Sequence, residues 1–157
     1  MKKCDIALLK IEGYQPEKRF SLAQEQDIFN NEIVNCLEYG TTIQSGGKIE
    51  VSVATRIGNI TRVIPELELF GKIYKNMLEL SFAALRGASG APILSSNSFL
   101  VLGMVIANHS YHLIPSQIEK YSNENGETIE ETKFMMPQAL AVHVNEIKRV
   151  IEQYLKT

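Results

Sequence analysis

The turn sequence Gly-Ala-Ser-Gly-Ala-Pro, from Gly87 to Pro92, lies between two apolar runs and holds the residues best suited to chemistry. Glycines before and after Ser89 can present its hydroxyl without steric crowding. The backbone N–H groups of such a turn can also point at an oxyanion. Small residues are also common in turns that only join two strands and have no catalytic role. The turn alone therefore leaves both a nucleophile and a simple connection open.

An α/β-hydrolase elbow does not fit this turn. That elbow requires Gly-x-Ser-x-Gly on a bend from a strand into a helix. Here Ala91 occupies the position of the second glycine, and Pro92 leads into a strand-like apolar run. We therefore exclude that class of hydrolase.

A second candidate for chemistry is Asp5, which opens the apolar run Ile6-Ala7-Leu8-Leu9. The run from Asp5 to Glu12 predicts a buried strand. The three histidines of the sequence are His109, His112 and His143. All three follow Ser89, so no histidine precedes Asp5.

The elements that would position these residues are mostly short strands separated by glycine turns. Strands are predicted at Glu32–Leu37, Lys48–Thr55, Ile60–Ile64, Met77–Phe82, Phe99–Ala107 and Phe134–Val142. Pro65–Gly71 is predicted to be a loop, and Glu119–Lys133 an exposed hairpin or flexible loop. Apolar residues at helical spacing predict a C-terminal helix from Val144, with Asn145 as a candidate cap. This pattern indicates an all-β barrel and lacks the strand–helix alternation of a parallel α/β sheet.

Composition narrows the function classes. The 157 residues fit one domain, with 45% hydrophobic residues and a formal net charge of −2. Without a basic block, neither nucleic acid nor a membrane surface is the expected partner. The longest nearly pure apolar run, Phe99 to Ala107, is too short to span a bilayer.

The remaining residue types predict neither a cofactor nor a metal. Cys4 and Cys36 form no disulfide framework and are interpreted as small buried hydrophobes. Asp5 interrupts a signal-peptide pattern, so we expect a reducing, cytoplasmic location. The spacing His109-x-x-His112 is by itself a weak metal pattern.

Four segments in order resemble the trypsin-like (chymotrypsin-fold) serine peptidases, especially their bacterial intracellular relatives. They are Asp5–Lys10, Gly58–Thr61, Gly87–Pro92 and Leu102–Val105. The resemblance covers most of the chain and implies a trypsin-like antiparallel β-barrel with a C-terminal α-helix. In that family two six-stranded barrels precede the helix. Residues 1–31 would correspond to the last part of the first barrel and a linker, 32–143 to the second barrel, and 144–157 to the helix.

The resemblance also implies roles for individual residues. Ser89 matches the nucleophile, the N–H groups of Gly87 and Ser89 match the oxyanion hole, and Asp5 matches the acid that orients the catalytic histidine. Ala88 stands where secreted members often carry an aspartate, which implies a turn set by packing. Substrate-binding positions are matched by Ala83, at the base of the primary specificity pocket, and by Ile106, Ala107, Asn108 and His109.

The missing histidine qualifies the function that this resemblance implies. A serine hydroxyl is a poor nucleophile without a base to take its proton. The prediction is a serine endopeptidase domain acting through an acyl-enzyme at Ser89, inactive or severely impaired as this chain. The alternative is a non-catalytic module of the same fold that binds a peptide or protein partner. An uncovered strand at Asp5 would invite pairing with a second copy or with a partner protein.

Overall fold

The computed structural model describes residues 6–13, 17, 19–39, 42–45, 48–113, 117–123, 126–132 and 135–156. Its strands are β1 (Ile33–Glu38), β2 (Thr42–Ser45), β3 (Lys48–Val51), β4 (Ala54–Leu69), β5 (Lys72–Leu80), β6 (Pro92–Ser95), β7 (Val101–His112), β8 (Gln117–Asn123), β9 (Gly126–Thr132) and β10 (Met135–His143). One α-helix, α1 (Val144–Leu155), follows β10, and a short 3-10 helix spans Glu25–Asp27.

Six of these strands close into an antiparallel barrel with the order β1-β4-β5-β10-β7-β6. The barrel closes because β1 pairs with β4 along one edge and with β6 along the other. The remaining strands form two separate hairpins, β2 with β3 and β8 with β9. The all-β prediction with a C-terminal helix is therefore confirmed, as is the predicted hairpin within Glu119–Lys133.

The barrel interior is filled by alternate residues of its strands. In β1 the buried residues Val34, Cys36 and Glu38 alternate with more exposed neighbours. Aliphatic side chains from the other strands complete this core, among them Ile60, Leu78, Leu80, Ile93 and Leu102. Since these side chains come from strands distant in sequence, their burial holds the ring together.

Cys36 lies in this core as a free thiol. Burial, reinforced by the nearby carboxylate of Glu38, raises its pKa to about 11, and the charge of Arg56 opposes this shift. The thiol therefore stays protonated and packs as a small hydrophobe, as predicted.

Two buried carboxylates in the barrel wall each have a hydrogen-bond partner on one oxygen, whereas Oε2 of Glu38 has none among the described residues. Glu38 accepts from Nε of Arg56 at 2.7 Å, and Glu32 accepts from the Ser95 hydroxyl at 2.6 Å. The Glu32 contact joins the residue before β1 to the end of β6, next to the seam where the barrel closes. Such pairs offset the cost of removing a carboxylate from water.

The predicted loop Pro65–Gly71 is instead part of a long hairpin. β4 continues to Leu69 and pairs with β5 up to Lys72. Phe70 and Gly71 form the two-residue turn, with φ of 53° and 70°. Two positive φ values are typical of the type I′ turns that match strand twist. The prediction took Pro65 as the end of a strand. At an exposed strand position, however, a proline removes just one ladder hydrogen bond, so β4 can continue through it.

The predicted buried strand from Asp5 to Glu12 is not observed over the described residues of that segment. Residues 6–11 belong to no strand, and Leu9 and Ile11 remain 83% and 70% exposed. Ile6 is the exception, since it packs against the cluster around Tyr74 and Met77. Within the described residues no strand lies beside this segment to satisfy its backbone. Asp5 and Cys4 lie outside the described residues.

The C-terminal helix is fixed to the end of β10 by its cap. His143, not the predicted Asn145, is the N-cap, and its Nδ1 accepts from the Asn145 backbone N–H at 3.1 Å. His143 is 3% exposed, and burial is the main cause that lowers its pKa below 6.5. The neutral ring is the form that can both stay buried and accept this hydrogen bond.

We expect the free energy of unfolding to fall as the pH drops below the ordinary histidine pKa of 6.5. The unfolded chain then binds a proton that the folded His143 resists, so stability rises with pH through this window. The measurement is urea denaturation across roughly pH 5 to 7, compared with His143→Asn, which retains a capping side chain without a titrating ring. An equal slope in both proteins would contradict the assignment.

Candidate functional site

Ser89 lies in the loop of residues 81–91, which connects β5 to β6. Gly87 and Gly90 both have φ of +93°, a conformation that favours glycine. Between them Ala88 is buried, its N–H donating to the Leu85 carbonyl at 3.0 Å, while its own carbonyl accepts from the N–H of Ala91 at 2.9 Å. Backbone hydrogen bonds and a buried alanine thus set the turn.

β7 anchors the far side of this turn. The N–H of Gly90 donates to the Val105 carbonyl at 2.8 Å, and the N–H of Val105 donates to the Ala91 carbonyl at 2.9 Å. Ser89 Oγ then donates to the Ile106 carbonyl at 3.3 Å. The serine hydroxyl is therefore held beside the first residues of β7 that extend past its pairing with β6.

Two N–H groups of the turn keep their hydrogen-bonding capacity. Among the described residues, neither the N–H of Gly87 nor that of Ser89 has a protein acceptor. Both residues line one cavity. Free backbone donors at a cavity can bind an anion or a developing oxyanion.

This cavity has a volume of about 310 Å³. It is lined by Ala84, Leu85, Arg86, Gly87, Ser89, Val105, Ala107 and Asn108. Small and aliphatic side chains supply most of that lining, and Arg86 is the one charged residue among it. A side chain of modest size fits such a space, and Arg86 adds a positive charge to its lining.

Asn108 joins the two walls of the cavity. Its Oδ1 accepts from the Ala84 N–H at 2.9 Å, and its Nδ2 donates to the Ala84 carbonyl at 2.8 Å. The side-chain amide therefore acts as a peptide group paired with the loop. This pairing fixes residue 84 against β7 in place of a strand ladder.

The predicted site residues are partly brought together. Gly87, Ser89, Ala107 and Asn108 line the cavity, and Ile106 contributes its carbonyl. Ala83, predicted at the base of the specificity pocket, is half-buried and is not among the residues that line the cavity. Its neighbour Ala84 lines the cavity instead.

The predicted His109 lies apart from the cavity lining. Its ring is 4.5 Å from the ring of Tyr111, centroid to centroid. Tyr111 in turn donates to Glu79, which also accepts from Thr61 at 2.7 Å and from Arg62 at 2.9 Å. Burial opposes ionisation of Glu79, but these hydrogen bonds outweigh it and lower the pKa. The predicted acid, Asp5, lies outside the described residues.

No histidine in the described part of the chain forms a hydrogen bond with Ser89. His143 caps α1, and the described partner of Ser89 Oγ is the Ile106 carbonyl. A backbone carbonyl accepts a hydrogen bond but does not take up a proton near neutral pH. The described residues therefore provide two free N–H groups and a serine hydroxyl, but no group positioned on that hydroxyl to take its proton.

β7 offers an open edge next to the serine. Its pairing with β6 ends at Met104, whereas its pairing with β10 continues to His112. Beyond Val105, the described strands leave the β6 side of β7 unpaired. An extended peptide can add to such an edge by main-chain hydrogen bonds.

Comparisons with protein-family models, with curated proteins and with solved structures found no significant match. Within the described residues, no group of three or more His, Cys, Asp or Glu could hold a metal ion. The helices of that same part of the chain are too short or too polar to cross a bilayer.

Arg86 and the side chain of Asn108 are the site features that the sequence analysis missed. Arg86 directly precedes Gly87, so its place in the turn was a usable signal. The amide bridge from Asn108 to Ala84 left no signal, since it joins residues 24 apart.

We expect Asn108→Ala to lower the free energy of unfolding by about 1–3 kcal/mol, because it leaves the Ala84 N–H and carbonyl without their partner. Asn97→Ala is the matched control, since Asn97 is exposed in the β6–β7 turn and should change stability by less than about 0.5 kcal/mol. Urea denaturation of both variants measures the difference. Equal stabilities would show that the bridge does not hold the loop.

Proposed function

We propose that this chain is a trypsin-like serine-peptidase domain whose site at Ser89 receives an extended peptide. The observation that carries the proposal is the grouping at one cavity of the Ser89 hydroxyl and the two free N–H groups of Gly87 and Ser89. Acyl transfer requires a nucleophile beside preorganised donors, and these are groups of the types that it requires.

The architecture supports the same family. A closed six-stranded antiparallel barrel followed by one helix is what the resemblance implies for the second barrel. The serine turn follows the third barrel strand, β5, and is pinned to the fifth, β7. We accordingly assign residues 32–143 to the second barrel and residues 1–31 to the end of the first barrel and a linker.

The substrate would lie along the open edge of β7. Its main chain would pair with Ile106–Asn108, and one side chain would enter the cavity between Ala84 and Ala107. The small and aliphatic residues of the lining, Ala84, Leu85, Val105 and Ala107, would accommodate a small or medium aliphatic side chain. Arg86 disfavours a lysine or arginine there, consistent with the absence of a carboxylate at Ala83.

Chemistry at Ser89 would follow the acyl-enzyme route. The hydroxyl oxygen attacks the peptide carbonyl, and the N–H groups of Gly87 and Ser89 receive the negative charge that develops on its oxygen. The hydroxyl proton needs a base, which in the family is a histidine oriented by the residue that Asp5 matches. Because the described residues place no imidazole on Ser89, we propose that this 157-residue chain hydrolyses peptides poorly or not at all.

A non-catalytic peptide-binding module is the second candidate. It is favoured by the combination of a formed cavity and an open strand edge with the absence of a base at Ser89 within the described residues. Binding needs the donors and the edge but not the proton transfer. The exposed Leu8, Leu9 and Ile11 would provide a contact for a partner protein or a second copy.

We expect a fluorophosphonate probe to react slowly with the chain alone and faster when free imidazole is added. A positioned general base raises a reaction rate by about 10²–10⁴-fold. Dissolved imidazole should restore part of that, about a tenfold increase in the rate of modification at Ser89. Peptide mapping by mass spectrometry locates the modified residue. Ser89→Ala should abolish the imidazole-dependent product, and Ser110→Ala, an exposed serine on β7, should retain it.

The outcomes test the assignment of Ser89 as a nucleophile and its impaired state. Imidazole-dependent modification confined to Ser89 supports a nucleophile that lacks its base. Rapid modification without imidazole would overturn the impaired state and show an active serine. Modification spread equally over other serines would overturn the assignment of Ser89.

A further inference from the structure

The turn at Ser89 has the features of a site for a permanent anion as well as for a transient one. The N–H groups of Gly87 and Ser89 are two donors without a described protein acceptor, and Arg86 adds a full positive charge to the same lining. Hydrogen bonds to ionised groups are about twice as strong as those between neutral groups. A transient oxyanion in a neutral substrate does not need a resident guanidinium.

The rest of the cleft restricts which anion would fit. The open edge of β7 beyond Met104 matches an extended main chain, and the apolar lining from Leu85 and Val105 matches one hydrocarbon side chain. The cavity has a volume of about 310 Å³, and Asn108 and Ala84, which are bridged across it, are both in its lining. A free phosphate or a small carboxylate would use the donors and leave the edge and the cavity empty.

A peptide main chain carries a negative charge in one place, its C-terminal carboxylate. If the last residue places its side chain in the cavity, its carboxylate lies where the scissile carbonyl of a longer substrate would lie. The preceding residues then pair with Ile106–Asn108. Capture of a chain terminus by backbone donors is a known mode of peptide recognition.

We propose that the cleft at Ser89 binds peptides through a free C-terminal carboxylate, with Arg86 and the N–H groups of Gly87 and Ser89 as its ligands. This inference rests on the proposed function, because it places the peptide in the site assigned there. It requires no bond to be made or broken, and so it needs no base at Ser89. The last residue is aliphatic, and a basic last residue is rejected by Arg86.

The test compares pairs of short fluorescent peptides that differ only at the C-terminus. One pool of degenerate peptides ends in leucine with a free carboxylate, and its partner ends in leucine amide. Binding to the full chain is followed by fluorescence anisotropy at low and high salt. We expect amidation to weaken binding by about tenfold or more, which is the usual effect of losing charge-assisted hydrogen bonds. Salt should weaken the binding of the acid pool more than that of the amide pool.

Two matched variants identify the cation. Arg86→Gln should remove most of the preference for the free acid, measured as the ratio of the affinities for the acid and amide pools. Arg19→Gln removes the same charge from a different cavity, one lined by Phe20 and Phe99, and should keep the preference. A thermal unfolding curve for each variant excludes loss of fold as the cause of any change.

Each result decides between the proposals. A preference for the acid that depends on Arg86 supports the inference. Equal binding of acid and amide pools overturns it while leaving a peptide-binding site at Ser89 intact. Failure of both pools to bind, together with loss of Ser89 modification by the fluorophosphonate probe, overturns the proposed function as well. A preference that survives Arg86→Gln overturns the assigned role of Arg86.

Discussion

The site depends on the short ladder between the serine turn and β7. The N–H groups of Gly90 and Val105 donate across this contact in opposite directions. The ladder satisfies the N–H of Gly90, and the Leu85 carbonyl satisfies the N–H of Ala88. The N–H of Ser89, between them, has no described protein acceptor. The same contact brings the Ser89 hydroxyl to the Ile106 carbonyl.

Much of the barrel could be predicted from the sequence, because its signals are local. These signals are the alternation of buried and exposed residues in β1, the glycine turns, and the helical spacing of apolar residues after Val144. Each concerns residues close in sequence. Pro65 and the segment from Ile6 to Ile11 were predicted wrongly for a common reason. Whether a residue is in a strand depends on a neighbouring strand, and that neighbour is distant in sequence. At Pro65 the neighbour is present in β5, and beside residues 6–11 the described chain provides none.

In the candidate site, too, features that depend on neighbouring residues in the sequence could be predicted, and contacts between distant residues could not. Ser89, Gly87 and Gly90 were found from the turn sequence, since backbone freedom is a property of glycine itself. Ala107 and Asn108 were placed at the cleft by resemblance, and the structure brings both into its lining. The role of the Asn108 side chain could not be predicted, because its partner is the backbone of Ala84, and every residue has a backbone. Arg86 was overlooked although its neighbours were recognised.

The two candidate functions share one physical requirement, a negative charge next to Gly87 and Ser89. Catalysis requires that charge to appear on a carbonyl oxygen as a bond forms, and it therefore also requires a base for the Ser89 proton. Binding of a C-terminal carboxylate requires neither, since the charge is already present in the ligand. A cleft with free donors and an open β7 edge but no described imidazole on Ser89 therefore meets the requirements that we propose for binding, and lacks one that catalysis would add.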